Sequence, residues 1–161
     1  QACHERVQRS LDLLRRLTDH IDAHGHDDAS RSAAADVLRY FDLAAPLHHQ
    51  DEELHVCPAL AANPDAALRQ AVATLRDDHL RMAERWDRAR GVLLAWRDDP
   101  APPVLDEPAR ALLKAFADAY DAHIALEEGL VYPAARAMLD RPGLARIGAE
   151  MQARRRAPTA K

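Results

Sequence analysis

The sequence predicts an all-α fold, an up-down-up-down antiparallel four-helix bundle. Composition is the first reason: 34 of the 161 residues are Ala and 20 are Arg, against 5 Gly, 2 Trp, 3 Tyr and 2 Phe. Ala, Leu and Arg favour helix, and so few aromatic residues argue against a sheet. Periodicity is the second. Four long segments place apolar residues at steps of three and four, which is one face of a helix. The third is spacing: the breaks between segments are short, so successive helices become antiparallel neighbours.

The first helix runs from about His4 to His24, on a face of His4, Val7, Leu11, Leu14, Thr18 and Ile21, and ends at Gly25-His26-Asp27-Asp28. The second starts near Ser30, read as its N-cap. Its face is Ala34, Leu38, Phe41, Ala45, His48, Glu52 and His55, with bends expected at Pro46 and Pro58. Asn63-Pro64-Asp65 is a turn. The third helix spans about Asp65 to Trp96, on Leu68, Val72, Leu75, His79, Met82, Trp86, Ala89 and Leu93. A Pro-rich loop follows, from Arg97 to Asp106. The fourth helix begins near Asp106, with Pro108 tolerated in its first turn. It carries Leu112, Phe116, Tyr120, His123, Glu127, Leu130 and Ala134, kinks at Pro133 and reaches about Asp140. An amphipathic tail, Leu144 to Arg154, comes last. The whole reads as one domain over 1–161, with a core of about 3–140 and a tail over 141–161.

Several function classes drop out. No stretch has the roughly 20 apolar residues of a membrane span. The opening QACHERVQRSL lacks a signal-peptide core. A net charge of −4 with no large basic block disfavours nucleic acid, and Arg154-Arg155-Arg156 reads as a solvated end. Two cysteines make no disulfide framework. Cys3 and Cys57 are expected as reduced thiols, and the localisation as cytoplasmic.

Histidine is the compositional oddity, nine in all. Polar residues interrupt the apolar face of every helix: His4; His48 and Glu52; His79; His123 and Glu127. Burying one without a partner costs several kcal/mol. Chance would give about 0.4 His-x3-Glu pairs from nine His and eight Glu; three occur, at 48/52, 49/53 and 123/127. On a helix, i and i+4 share a side. HHQDEELHVCPA at 48–59 also repeats as HIALEEGLVYPA at 123–134.

Depth in the bundle gives an independent check. His4 precedes His24 by 20 residues, and His48 follows Ser30 by 18. His48 precedes Ala61 by 13, and His79 follows Asp65 by 14. His79 precedes Trp96 by 17, and His123 follows Glu107 by 16. At about 1.5 Å per residue, all four imidazoles fall in one layer.

Four His and two Glu in one layer of a bundle are the donor set of a dinuclear metal site. A carboxylate can bridge two cations, and imidazoles can cap them. Mixed N/O ligation with open positions suits iron or manganese better than structural zinc. The expected ligands are His4, His48, Glu52, His79, His123 and Glu127. They cannot fill two six-coordinate ions, so a solvent-derived bridge and positions for a small ligand remain.

His4-Glu5, HHQDEELHVCPAL, DDHLRM around His79 and HIALEEGLVYPAA together resemble the hemerythrin-like (HHE cation-binding) family. The resemblance spans roughly 3–140. It implies a non-haem di-iron centre in a four-helix bundle, with two iron ions replaceable by Mn or Zn. Terminal ligands would be His4, His48, His79 and His123, with Glu52 and Glu127 as bridges. The implied ligand is O2, peroxide or nitric oxide, and the implied role is binding or sensing. An enzyme that removes peroxide or repairs damaged iron centres, or an iron store, is the alternative. Oxygen-carrying hemerythrins have two His four apart on the third helix, whereas here Ala83 follows His79. Their fourth helix reads His-x4-Asp, and here it is His-x3-Glu. The match is to the broader prokaryotic branch. A homodimer or another protein partner is compatible with this reading.

The remaining polar residues receive plainer expectations. Residues 48/52 and 49/53 point about 100° apart, and the apolar register selects 48/52, leaving Glu53 on the flank and His49 either a flank residue beside the ligands or a further ligand itself. His20, His24 and His26 are read as surface or loop residues. His55 and Tyr120 either pack or hydrogen-bond beside the ligands. Trp86 and Trp96 pack in the core and at the helix end.

Overall fold

The structure, a computed structural model, describes residues 2–138 and 147–152, with side chains from His4 onward. It is helical, with no strand among the described residues. Helix α1 is Ala2–His24, α2 Asp28–Arg39, α3 Ala45–His55, α4 Cys57–Ala61, α5 Ala66–Asp98, α6 Glu107–Leu126 and α7 Tyr132–Met138. Two five-residue π turns, Tyr40–Ala44 and Glu127–Val131, join α2 to α3 and α6 to α7. The elements therefore form four rods: α1, α2 to α4, α5, and α6 to α7. α1 packs on α2 and α6, and α5 packs on the same two, which closes a bundle. Residues 147–152 are helical. The stretch from Leu139 to Arg146, the Arg154-Arg155-Arg156 run and the Cys3 side chain lie outside the described residues. Cys57 is buried and not in a disulfide.

Local chemistry explains the boundaries. Gly25 takes φ +77, a left-handed conformation suited to glycine, and stops α1. Asp27, not Ser30, caps α2. Its Oδ1 accepts from Ser30 N at 2.8 Å, while Asp27 N donates to Ser30 Oγ at 2.9 Å. Ser30 is thus the reciprocal half of a capping box, three residues inside. Asp65 and Asp106 cap α5 and α6.

Both π turns end two residues before a proline, Pro46 and Pro133. Proline has no N–H, and its ring collides with the carbonyl four residues back. The wide turn relieves that collision: Ala45 N donates to Tyr40 O, and Tyr132 N to Glu127 O, five residues back. Each π turn inserts one residue into the helical count. Beyond Glu127 the buried face is therefore Val131 and Ala135, not Leu130 and Ala134. At Val56 and Pro58 the rod is interrupted again.

Two apolar clusters fill the interior. The larger holds Leu11, Leu14, Phe41, Trp86, Trp96, Phe116 and Tyr120, among others. The smaller holds Cys57, Leu60, Leu68, Val72, Leu75 and Val131. Trp86 and Trp96 sit in the core, their indole N–H groups donating to Asp42 and to the Pro103 carbonyl. Along α3, α5 and α6, a buried polar layer lies between the two clusters. Its members are His4, His48, Asp51, Glu52, His79, His123 and Glu127.

Candidate metal centre

The layer holds two interlocked donor groups. His4, His48, Glu52 and Glu127 form one; Glu52, His79, His123 and Glu127 form the other. Within each group the donor atoms lie within 4.8 Å of one another. Glu52 and Glu127 belong to both, and their oxygens divide between the two sides. Glu127 Oε2 faces His4 Nε2 at 2.9 Å, and its Oε1 faces His123 Nε2 at 3.1 Å. Glu52 Oε1 faces His48 Nε2 at 3.6 Å, and its Oε2 faces His79 Nε2 at 3.4 Å. The structure thus brings all six residues singled out from the sequence into one buried cluster.

The outer nitrogens are held separately. His4 Nδ1 donates to Glu128 Oε1 at 2.8 Å, and His79 Nδ1 to Glu53 Oε1 at 3.0 Å. Each Glu-Glu pair therefore brackets an imidazole of another helix, the inner Glu at Nε2 and the outer Glu at Nδ1. Such carboxylate–imidazole pairs fix ring orientation. Asp78 Oδ2 lies 3.6 Å from His123 Nδ1, beyond hydrogen-bond range.

Most of the inner atoms lack hydrogen-bond geometry. Both Glu127 oxygens, Glu52 Oε2, His79 Nε2 and His123 Nε2 are buried without a hydrogen-bond partner. Once Nδ1–H is given to Glu128, a neutral His4 turns a lone pair toward a carboxylate oxygen. Lone pairs at that range need a cation between them, either a proton or a metal ion. Orphaned, converging oxygen and imidazole donors fit a metal cation.

Electrostatics of the metal-free cluster agree. Burial alone would lower His4, but Glu127 and Glu128 reverse this and hold it above its usual 6.5. His79 is raised in the same way, against burial, by Glu52 and Glu53. Burial drives His48 down to about 4 and His49 to about 2. Burial, helped by Glu127, pushes Glu52 up to about 7. For Glu127, burial acts upward, but His123 and His4 prevail and hold it well below the carboxylate range. One carboxylate of the pair keeps its charge while the other resists ionising, as close like charges require.

Three further residues take places that the sequence left open or did not signal. Of the two places open to His49, the structure takes the inner one: its ring stacks on His79 at 4.2 Å, and it joins His79 and His123 in a third donor group. α3 turns the seam between 48 and 49 toward the axis. His48 then points to His4, with ring centroids 5.6 Å apart, and His49 to the opposite side. Glu53 does lie at the rim, yet it carries the clamp on His79. Tyr132 went unremarked. Its hydroxyl donates to Glu52 Oε1 and lies 3.3 Å from His4 Nε2. In the internal repeat it aligns with Cys57, so only its chemistry, not its position, could have drawn attention.

The remaining residues stand apart from the cluster's centre. Tyr120 is buried against Phe41 and Phe116, its ring 6.3 Å from His49. His55 Nε2 lies 3.6 Å from Glu150. His20 pairs with Asp27 and packs at a tilt against His24, while His26 meets the Pro103 carbonyl, all at the loop end. No helix among the described residues is long and apolar enough to cross a membrane.

An uncharacterized protein of Haemophilus influenzae (strain ATCC 51907 / DSM 11121 / KW20 / Rd) is similar to this chain. It is 32% identical over 154 residues, covering 96% of this chain and 86% of that protein. The family model of the hemerythrin HHE cation binding domain matches residues 1–135. With its helical bundle and its buried layer of His and Glu, the chain belongs to the hemerythrin HHE cation-binding domain family.

Proposed function

We propose that this protein is a non-haem di-iron protein that binds or senses O2, or a related molecule such as nitric oxide or peroxide. One observation carries the reading. Glu52 and Glu127 each direct one oxygen to the His4/His48 side and the other to the His79/His123 side. That is the disposition of two bridging carboxylates. His4 and His48 would hold one ion, His79 and His123 the other. When bound, the iron pair supplies redox-active centres with positions open to a small ligand.

The chain's own residues do the rest. Glu128 and Glu53 keep His4 and His79 turned inward. The Tyr132 hydroxyl donates to Glu52, stabilising the charged carboxylate that metal binding requires. The apolar clusters on either side exclude bulk water and bulky solutes, favouring a ligand of few atoms. Fewer donors than two six-coordinate ions accept leave room for it. The buried Cys57 thiol fits a reducing compartment, and the proposal places the protein in the cytoplasm as a single domain.

Admitting dioxygen or nitric oxide to reduced, iron-loaded protein tests this. A visible absorption change that reverses on removing the gas is expected. Many turnovers of peroxide per protein, with no reversible binding, would replace the binding role with an enzymatic one.

A further inference from the structure

The outer faces of α1 and α5 complement each other in charge and in shape. Along α1, Arg6, Arg9, Leu13 and Arg16 follow one another at steps of 3, 4 and 3, so they form one stripe. Along α5, Asp77, Leu80, Glu84 and Asp87 form a stripe at the same steps of 3, 4 and 3. Laid antiparallel, the stripes set Arg6 against Asp87, Arg9 against Glu84, Leu13 against Leu80 and Arg16 against Asp77. Every charged pair is then opposite in sign, and the two leucines meet. Laid parallel, Arg9 would face Leu80 and Leu13 would face Glu84.

Shape agrees with charge. Arg9, Leu13 and Arg16 line one bank of a groove of about 470 Å³ between α1 and α2. Leu43 and Ala44 lie on the other bank. They belong to the π turn Tyr40–Ala44, which leaves Leu43 52% exposed. Leu80 stands 69% exposed on the outer side of α5. It is an apolar knob flanked by carboxylates, and the groove has apolar walls flanked by guanidinium groups. Seating the knob there removes apolar surface from water. The charges beside it are uncommitted. Among the described residues, Arg9, Arg16, Asp77 and Glu84 make no ion pair within the chain, whereas Asp36 holds Arg39 and Asp12 holds Arg15.

We infer that the occupant of this groove is a second copy of the chain. Its α5 ridge lies antiparallel between α1 and α2, with Leu80 seated between Leu13 and Leu43. α1 and α5 occupy opposite corners of the bundle, each packed on α2 and α6. Their outer faces look away from each other, so one copy does not use both on the same neighbour. The contact is heterologous, and each added copy leaves a groove and a ridge open to the next. From Asp77 to Asp87 the ridge runs about 15 Å. A contact of that length is smaller than a stable interface of about 1,200–2,000 Å². Association is therefore weak and grows with protein concentration.

Sedimentation velocity of the full chain over a range of protein concentrations tests the inference. At about 0.1 M salt, repulsion between the acidic copies is damped beyond about 10 Å, while charges in contact still attract. The average mass should there rise from one chain to more than two, and fall back to one chain at about 1 M salt. Arg9→Glu combined with Arg16→Glu should stay monomeric, and so should Asp77→Arg combined with Glu84→Arg. Mixed in equal amounts, the two variants should associate again, because each reversed groove meets a reversed ridge. All four side chains are exposed, and circular dichroism checks that each variant keeps its helices. Unmutated protein that stays a single chain at every concentration would overturn the proposal, whether or not the variants fold. Association that survives either charge reversal, or variants that stay apart on mixing, would overturn it as well.

Discussion

Nδ1 of buried His4 lies 2.8 Å from Oε1 of Glu128, a residue half exposed at the rim of the bundle. Glu53 holds His79 in the same way from the other copy of the repeat. These carboxylates touch the imidazoles from outside, so they act on orientation and basicity rather than as inner donors. Glu128→Ala and Glu53→Ala should each lower metal affinity about 10- to 100-fold while the helical fold persists. Competition against a chelator, with circular dichroism as the control, measures both.

Glu127 is fully buried and shared by both donor groups. Glu127→Ala should abolish loading of both ions. In unmutated protein, metal at 100 times its Kd should add about 2.7 kcal/mol of stability. Thermal melts with and without metal check this: the variant should show no metal-dependent rise.

The metal-free protein should be most stable near neutral pH. His48 and His49 are depressed to about 4 and about 2, so the unfolded chain binds more protons than the native state below 6.5. Stability therefore falls as pH drops through that window. Glu52, raised to about 7, works in the opposite sense between 4.5 and 7 and offsets one of the two imidazoles. The other leaves a loss of about 1.4 kcal/mol per pH unit. His4 and His79 are raised, so their contribution is full below 6.5 and lost as pH rises through their native values. Metal ions would replace these protons and flatten the alkaline limb. Urea unfolding across pH 5 to 9, with and without metal, reads both limbs.

Tyr132 donates to Glu52 and so favours its charged form. Tyr132→Phe should raise the Glu52 pKa further and shift metal loading to higher pH, with the stoichiometry unchanged. A loading curve that stays in place or moves to lower pH would remove this role from the phenol.

Much of this arrangement is legible in the sequence. Distances to turns placed His4, His48, His79 and His123 in one layer, because an α-helix advances uniformly along its axis. The misses came where the helix is not uniform or where the chemistry lies outside the first contact. Pro133 announced a bend, but not that a π turn would advance the face from Leu130 to Val131. A wheel that assigns each residue to one side could not show α3 presenting the seam between His48 and His49. The second Glu of each repeat was visible at 53 and 128. Its target lies on a different helix, and only packing brings the two together. Asp27 displaced Ser30 as the cap because both ends of the box can fill either role.

The proposed function requires two metal ions between Glu52 and Glu127. Elemental analysis of protein purified from its native host, normalised to chain concentration, tests it most directly. Two irons per chain is the predicted result; one zinc, or no metal at all, would contradict it.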